Sequence, residues 1–289
     1  MAAALNNAKE QGRTLELTFQ TVAKEDGGNM VFDILNGKYD DYLNAYAKIV
    51  ADSEAPVLFR PGNEMNGDWC VYSAFNVSMD TELYKKFYKY LYEIFRANGA
   101  LKNTIWIWNP NDRSYPNFDW NHALCYYPGD EYVDVVGLTG YNTGTYYRGE
   151  RWRSFTEIYD AFYYNYCTWF SQPLMITEFA CSAIGGDQAY WIGQMFLNIG
   201  KYDRIKLAIW WDGYDFDKNG SGSVSRHYSI KENAEAQKYF LYNLAEPAEP
   251  VPQEPSDEEK TIISEENEKL RKLLPSLFRK AILLAERDG

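Results

Sequence analysis

An alternation restricts this chain more than any other feature. Short runs rich in β-branched and aromatic residues recur at 15–19, 57–60, 104–108, 133–138, 174–177 and 206–210. Between them, at 39–51, 80–98, 154–169, 187–199 and 231–242, apolar residues return every three to four positions. The first pattern predicts strands and the second amphipathic helices. Strand and helix in repeated alternation form a parallel sheet whose faces are covered by the helices.

The expected fold class is therefore α/β, of the (β/α)8 TIM-barrel type. It is N-terminally incomplete, because about six βα units are visible where a closed barrel has eight. A short helical stretch at 2–11 precedes the first strand, as though the chain began inside the second helix of such a barrel. Strands 15–19 and 206–210 would then be open sheet edges, a route to self-association.

The length of 289 residues suits one barrel domain with a tail. Beyond Leu244 the composition turns rich in Glu and Pro, so the barrel-like domain is placed at 1–244 and an acidic linker at 245–256. Residues 257–289 carry apolar positions at near-helical spacing, interrupted by Pro275, and predict an amphipathic helical tail. That tail either covers an edge of the sheet or meets another domain or chain.

A formal net charge of −12 opposes nucleic acid and anionic membrane surfaces as partners, and leaves a neutral polymer unpenalised. The 25 Tyr and 9 Trp exceed what a core requires, so some rings belong at a surface or cleft, where sugars are bound. Many of the Tyr have a simpler place on half-buried helix faces, as in the run Tyr84, Phe87, Tyr88, Leu91, Tyr92 and Phe95. The four cysteines show no paired spacing and only two His accompany them, which argues against zinc and predicts free core thiols. No cofactor is called for. The N-terminal residues have no apolar core of an export signal, and no stretch reaches membrane-spanning length.

Two carboxylates stand at strand ends. The run at 57–60 leads directly into Pro61-Gly62-Asn63-Glu64-Met65-Asn66-Gly67-Asp68-Trp69, and the run at 174–177 into Glu178-Phe179-Ala180. Barrels of this class keep their active sites at that end of the strands. On strands four and seven the two acids would face each other at the roughly 5 Å separation of a double-displacement glycosidase. One would be protonated to assist the leaving oxygen and the other ionised to attack the anomeric carbon.

The segments Phe59-Arg60-Pro61 and Asn63 to Trp69 resemble glycoside hydrolase family 26. So do Trp106-Ile107-Trp108-Asn109-Pro110-Asn111, Tyr127 to Asp134, and Gly137-Leu138-Thr139-Gly140-Tyr141-Asn142. The likeness runs from about residue 15 to 243. It implies a cofactor-free, retaining endo-β-glycanase, a β-mannanase or β-1,3-1,4-glucanase, that acts on a neutral polysaccharide outside the cell or at its surface. Glu64 takes the acid/base position and Glu178 the nucleophile position. Tyr141 matches the tyrosine that hydrogen-bonds the nucleophile, and Trp69 and Trp211 match cleft aromatics. Arg60, Asn63 and Trp108 complete the expected substrate contacts. A phenol donating to a carboxylate would stabilise its ionised form and fix its orientation. Mannanases of the family usually carry His before the acid/base, whereas this chain has Asn63, which weighs toward mixed-linkage β-glucan over mannan.

Asp215, Asp217 and Asn219 alternate like the start of a calcium loop, but Arg226 stands where the closing Glu would be. The alternative is a flexible loop that shapes a groove. Two other classes of function compete with hydrolysis: a non-catalytic carbohydrate-binding barrel, and an interaction module that docks through its tail.

Overall fold

A computed structural model describes residues 1–244 and the backbone of Ala281–Glu286. The chain divides within its fourth strand into two compact units, one comprising Met1–Gly137 and the other beginning at Leu138.

In the first unit, helix α1 (Ala2–Glu10) precedes strand β1 (Leu15–Phe19). Helices α2 (Met30–Leu35) and α3 (Asp40–Ser53) lead to β2 (Val57–Pro61), and α4 (Thr81–Ala97) leads to β3 (Thr104–Trp108). Strand β4 (Val135–Thr139) begins in this unit. All the pairings are parallel: Leu15 lies opposite Val57, Val57 opposite Thr104, and Ile107 opposite Val135. Every residue of β2 and β3 is buried, as expected of strands covered on both faces.

Helix α4 shows why the covering helices form where they do. Asp80 accepts the backbone N–H of Glu82 as an N-cap, and Tyr84, Phe87, Tyr88, Leu91 and Phe95 are buried along one stripe. Phe95 and Phe59 stack at 4.5 Å, and Trp106 meets both at about 5 Å, so helix and strands share one aromatic core.

The second unit continues from β4 through α5 (Phe155–Trp169), β5 (Leu174–Phe179), α6 (Gln188–Ile199) and β6 (Ile205–Asp212). A hairpin of β7 (Tyr214–Phe216) and β8 (Val224–His227) follows, then α7 (Ala234–Leu244). Helix α5 opens with a capping box in which Ser154 and Glu157 satisfy each other's backbone N–H. Strands β5 and β6 pair in parallel, and Trp210 is buried where Phe179, Trp191 and Phe240 converge.

Strands β1 to β6 fall at the six runs predicted from sequence. The expected linker and most of the expected tail helix lie outside the described residues. Ala281–Glu286, the described part of the tail, is strand β9, paired in parallel with β6 from Leu207 to Asp212. A backbone with unpaired N–H and C=O groups recruits an extended segment in preference to a helix. Cys70 and Cys181 are buried, Cys125 and Cys167 half-buried, and all four are free thiols. Among the described residues no helix is long and apolar enough to cross a membrane.

Candidate active site

The first unit builds a polar nest around Glu64. Strand β2 ends at Pro61, and the chain turns sharply through Gly62 and Glu64, both with left-handed backbone (φ 59° and 52°). A β-carbon on Gly62 would sit 2.8 Å from the Tyr84 ring, so this turn requires glycine. A glutamate in that conformation is strained and must be held by its surroundings. Its N–H donates to Asn109 O (2.7 Å) just past β3, and its carbonyl accepts from Gly67 N (2.9 Å).

The half-buried Glu64 side chain accepts a short hydrogen bond on Oε1 from Asn111 Nδ2 (2.5 Å). Asn66, 1% exposed, ties this loop to the one after β3. It accepts Asn111 N (2.9 Å) and donates to Asn111 O (3.1 Å), while its own carbonyl takes Tyr115 N and Asn121 Nδ2.

Asn63 is buried; its Oδ1 accepts from Gln20 Nε2 (2.7 Å), and the Tyr72 hydroxyl donates to the Asn63 main-chain oxygen at 2.6 Å with Oδ1 at 3.0 Å. Burial pushes the Tyr72 phenol well above its usual range, which keeps it a donor. With Oδ1 so occupied, the amide NH2 is the group Asn63 can offer to a ligand. Trp69 is 49% exposed, with the Tyr115 ring 5.7 Å away, and presents an open aromatic face.

Two predicted sugar contacts stand elsewhere. The sequence predicts Arg60 at the substrate, but its guanidinium is 5% exposed and bonded to Glu16, Thr18 and the Asn109 side chain. It braces β1 against β2 and the end of β3, because a buried guanidinium needs acceptors wherever the fold provides them. Trp108, predicted to stack on sugar, is 0% exposed with Tyr127 against it in an edge-on contact. Both side chains stand on strands that are covered on both faces, which accounts for their burial.

The second unit surrounds Glu178 differently. Glu178 sits inside β5, half-buried in extended backbone, and its Oε1 accepts a short hydrogen bond from the Tyr141 hydroxyl. Tyr141 is fixed at its main chain, where Arg153 Nη2 donates to its carbonyl at 2.6 Å, and at its ring by Tyr228 and Trp211, 5.0 and 6.3 Å away. Reciprocal bonds from Asn142 N to Ala180 O and from Ser182 N to Asn142 O stitch the loop after β4 to the loop after β5. Trp211 is half-buried beside Tyr141, whereas its neighbour Trp210 points into the core. Sequence reasoning assigned no role to Gln20, Asn66, Tyr72, Asn111, Arg153 or Tyr228. Asn66 and Asn111 lie within motifs that had drawn attention, but their partners are about 45 residues away in the chain.

The calcium candidates are otherwise engaged. Asp215 pairs with Arg226 at 3.1 Å, and Asp217 accepts the Tyr146 hydroxyl at 2.9 Å. Asp217 and Asn219 each also take the backbone N–H two residues on, in successive turns at the tip of the β7–β8 hairpin. Their alternation reflects turn chemistry, and among the described residues no group of three or more His, Cys, Asp or Glu can hold a metal ion.

Comparison with known proteins decides the family. The profile of glycosyl hydrolase family 26 matches residues 5–191. The chain belongs to this family.

Endoglucanase H of Acetivibrio thermocellus is 35% identical to this family 26 chain over 182 residues, which is 62% of the chain and 20% of that protein. A mannan endo-1,4-β-mannosidase of Bacillus subtilis is 30% identical over 201 residues, 65% of the chain and 49% of that protein. The chain thus spans about half or less of these curated relatives. Among solved structures, the catalytic domain of a GH26 endo-β-1,4-mannanase from Bacillus sp. JAMB-750 aligns with a TM-score of 0.63 at 20% identity, covering 85% of this chain and 68% of that one. A GH26 β-mannanase from Bacteroides ovatus aligns with a TM-score of 0.59 at 19% identity, covering 84% and 71%. These likenesses establish the barrel fold class for the family 26 chain.

Proposed function

We propose that this protein is a retaining endo-β-glycosidase that cuts internal β-1,4 linkages of a neutral polysaccharide, with mixed-linkage β-glucan favoured over mannan. Glu178 attacks the anomeric carbon to form a glycosyl-enzyme. Glu64 protonates the departing oxygen, then takes a proton from the water that releases the sugar.

The hydrogen bond from Tyr141 to Glu178 carries this reading. A phenol donor on one carboxylate oxygen holds the group and aims the other oxygen, as a nucleophile needs. Family membership and the strand-end position of Glu64, with its strained and clamped backbone, support the partner role. The preference for a glucose-configured chain rests on Asn63, whose available amide NH2 suits a sugar 2-hydroxyl, a group that glucose and mannose orient differently. The names of the relatives, an endoglucanase and mannosidases, span both substrates. Polymers of this kind do not cross membranes, so the reading carries an extracellular or cell-surface location with it.

Incubation with mannan and with mixed-linkage β-glucan, with product sizes and anomeric configuration followed by NMR, tests this directly. Internal cleavage of the glucan with retained configuration is expected. Inversion would refute the double displacement, faster cleavage of mannan would refute the preference, and binding without release would favour a non-catalytic lectin-like role.

A further inference from the structure

We infer that Asn111 is a positioning residue for the general acid: it biases which oxygen of Glu64 carries the transferable proton. The inference rests on the assignment of Glu64 as acid/base.

A protonated carboxyl group has a carbonyl oxygen that only accepts, and strongly, and a hydroxyl oxygen that donates and accepts more weakly. Asn111 Nδ2 can only donate, and it stands 2.5 Å from Glu64 Oε1, so this bond is strongest with Oε1 as the carbonyl oxygen and biases the proton to Oε2. The amide cannot turn over to reverse this. Its own Oδ1 accepts the backbone N–H of Arg113 at 3.1 Å, and a flipped amide would set two donors against each other there. Nor can the residue drift, because its N–H and C=O are both clamped by the Asn66 side chain, two positions along from Glu64. The acid and the group that orients it therefore share one anchor. In the release step the same bond lowers the basicity of Oε1, so it biases Oε2 to receive the proton of water.

Rate constants with two leaving groups separate orientation of a proton from mere support of the loop. Departure of 2,4-dinitrophenol needs no protonation, whereas departure of a sugar does, and kcat/KM reports only the steps through bond cleavage. In Asn111→Ala, kcat/KM on the polysaccharide should fall about 10- to 100-fold, part of the 10²–10⁴ that general acid catalysis supplies. On the 2,4-dinitrophenyl β-glycoside of the same sugar, kcat/KM should stay within about twofold of the wild-type protein. Asn111→Ser is the control for folding. Its hydroxyl can still accept from Arg113 N but is too short to reach Glu64, and it should behave like the alanine variant with an unchanged melting temperature.

Equal losses on both substrates in Asn111→Ser, or no loss on either, would overturn the inference. Glu64→Ala, measured in parallel, shows which reading has failed. If it discriminates between the leaving groups and the Asn111 variants do not, the positioning role is wrong and the acid assignment stands. If Glu64→Ala itself does not discriminate, the acid assignment falls and takes the inference with it.

Discussion

The surroundings of Glu64 and of Glu178 differ in kind. Glu64 lies on a left-handed turn past the end of its strand, in a nest of asparagines that bond to one another and to the loop backbone. Glu178 lies near the end of β5, where the pairing with β6 shifts register between Ile176 and Phe179, and is faced by a tyrosine that other aromatic rings hold in place. An acid that must give and retake a proton needs a defined hydroxyl direction, which amides with unambiguous donor and acceptor ends provide. A nucleophile needs an aimed lone pair, which one phenol held at its ring and main chain provides. On the proposed roles, two carboxylates of identical chemistry would be set to different work by the groups around them.

Four substitutions probe this contrast. The largest effect is expected from Glu178→Ala, which should reduce sugar release by on the order of 10⁴-fold or more while circular dichroism and melting temperature stay unchanged. Normal turnover would remove Glu178 from the chemistry and dissolve the comparison. Tyr141→Phe keeps the ring packing and deletes the donor. Here kcat should drop by about 10²-fold with little change in KM, the size of losing one preorganised hydrogen bond. A change in KM alone would mean that Tyr141 serves substrate binding.

Gly62→Ala attacks the other side, because it strains a left-handed residue and drives a methyl group into Tyr84. Denaturant unfolding should reveal a loss of about 2 kcal/mol. An unaltered midpoint would show that the turn before Glu64 is not under the constraint described. Ser154→Ala, which breaks the capping box of α5 in the unit that holds Glu178, should cost about 1 kcal/mol with kcat unchanged. A fall in kcat would tie the start of that helix to the chemistry.

Much of the fold was legible because its signals are local. Six strands and their helices follow from runs of Val, Ile, Trp and Phe beside amphipathic stripes, and Asp80, Ser154 and Asp187 all mark helix starts that the sequence places within a residue. The placement of Glu64 just past β2 and of Glu178 near the end of β5 was legible for the same reason. What stayed hidden depends on partners far along the chain. Arg60 reads as a ligand until Glu16 and Thr18 are found on the neighbouring strand. Trp108 reads as a sugar platform until both faces of β3 prove to be covered. The β7–β8 hairpin was read as a loop because Asp, Asn, Gly and Ser are shared by tight turns and calcium sites. Ala281–Glu286 had a helical pattern in a region where the edge of β6 decides the conformation.

The division of labour between the carboxylates is tested most directly by trapping the glycosyl-enzyme. Incubation with a 2-deoxy-2-fluoro β-glycoside bearing a good leaving group, followed by proteolysis and peptide mass spectrometry, should find one sugar esterified to Glu178 and none on Glu64. A label on any other residue, or turnover with no covalent species, would contradict the account.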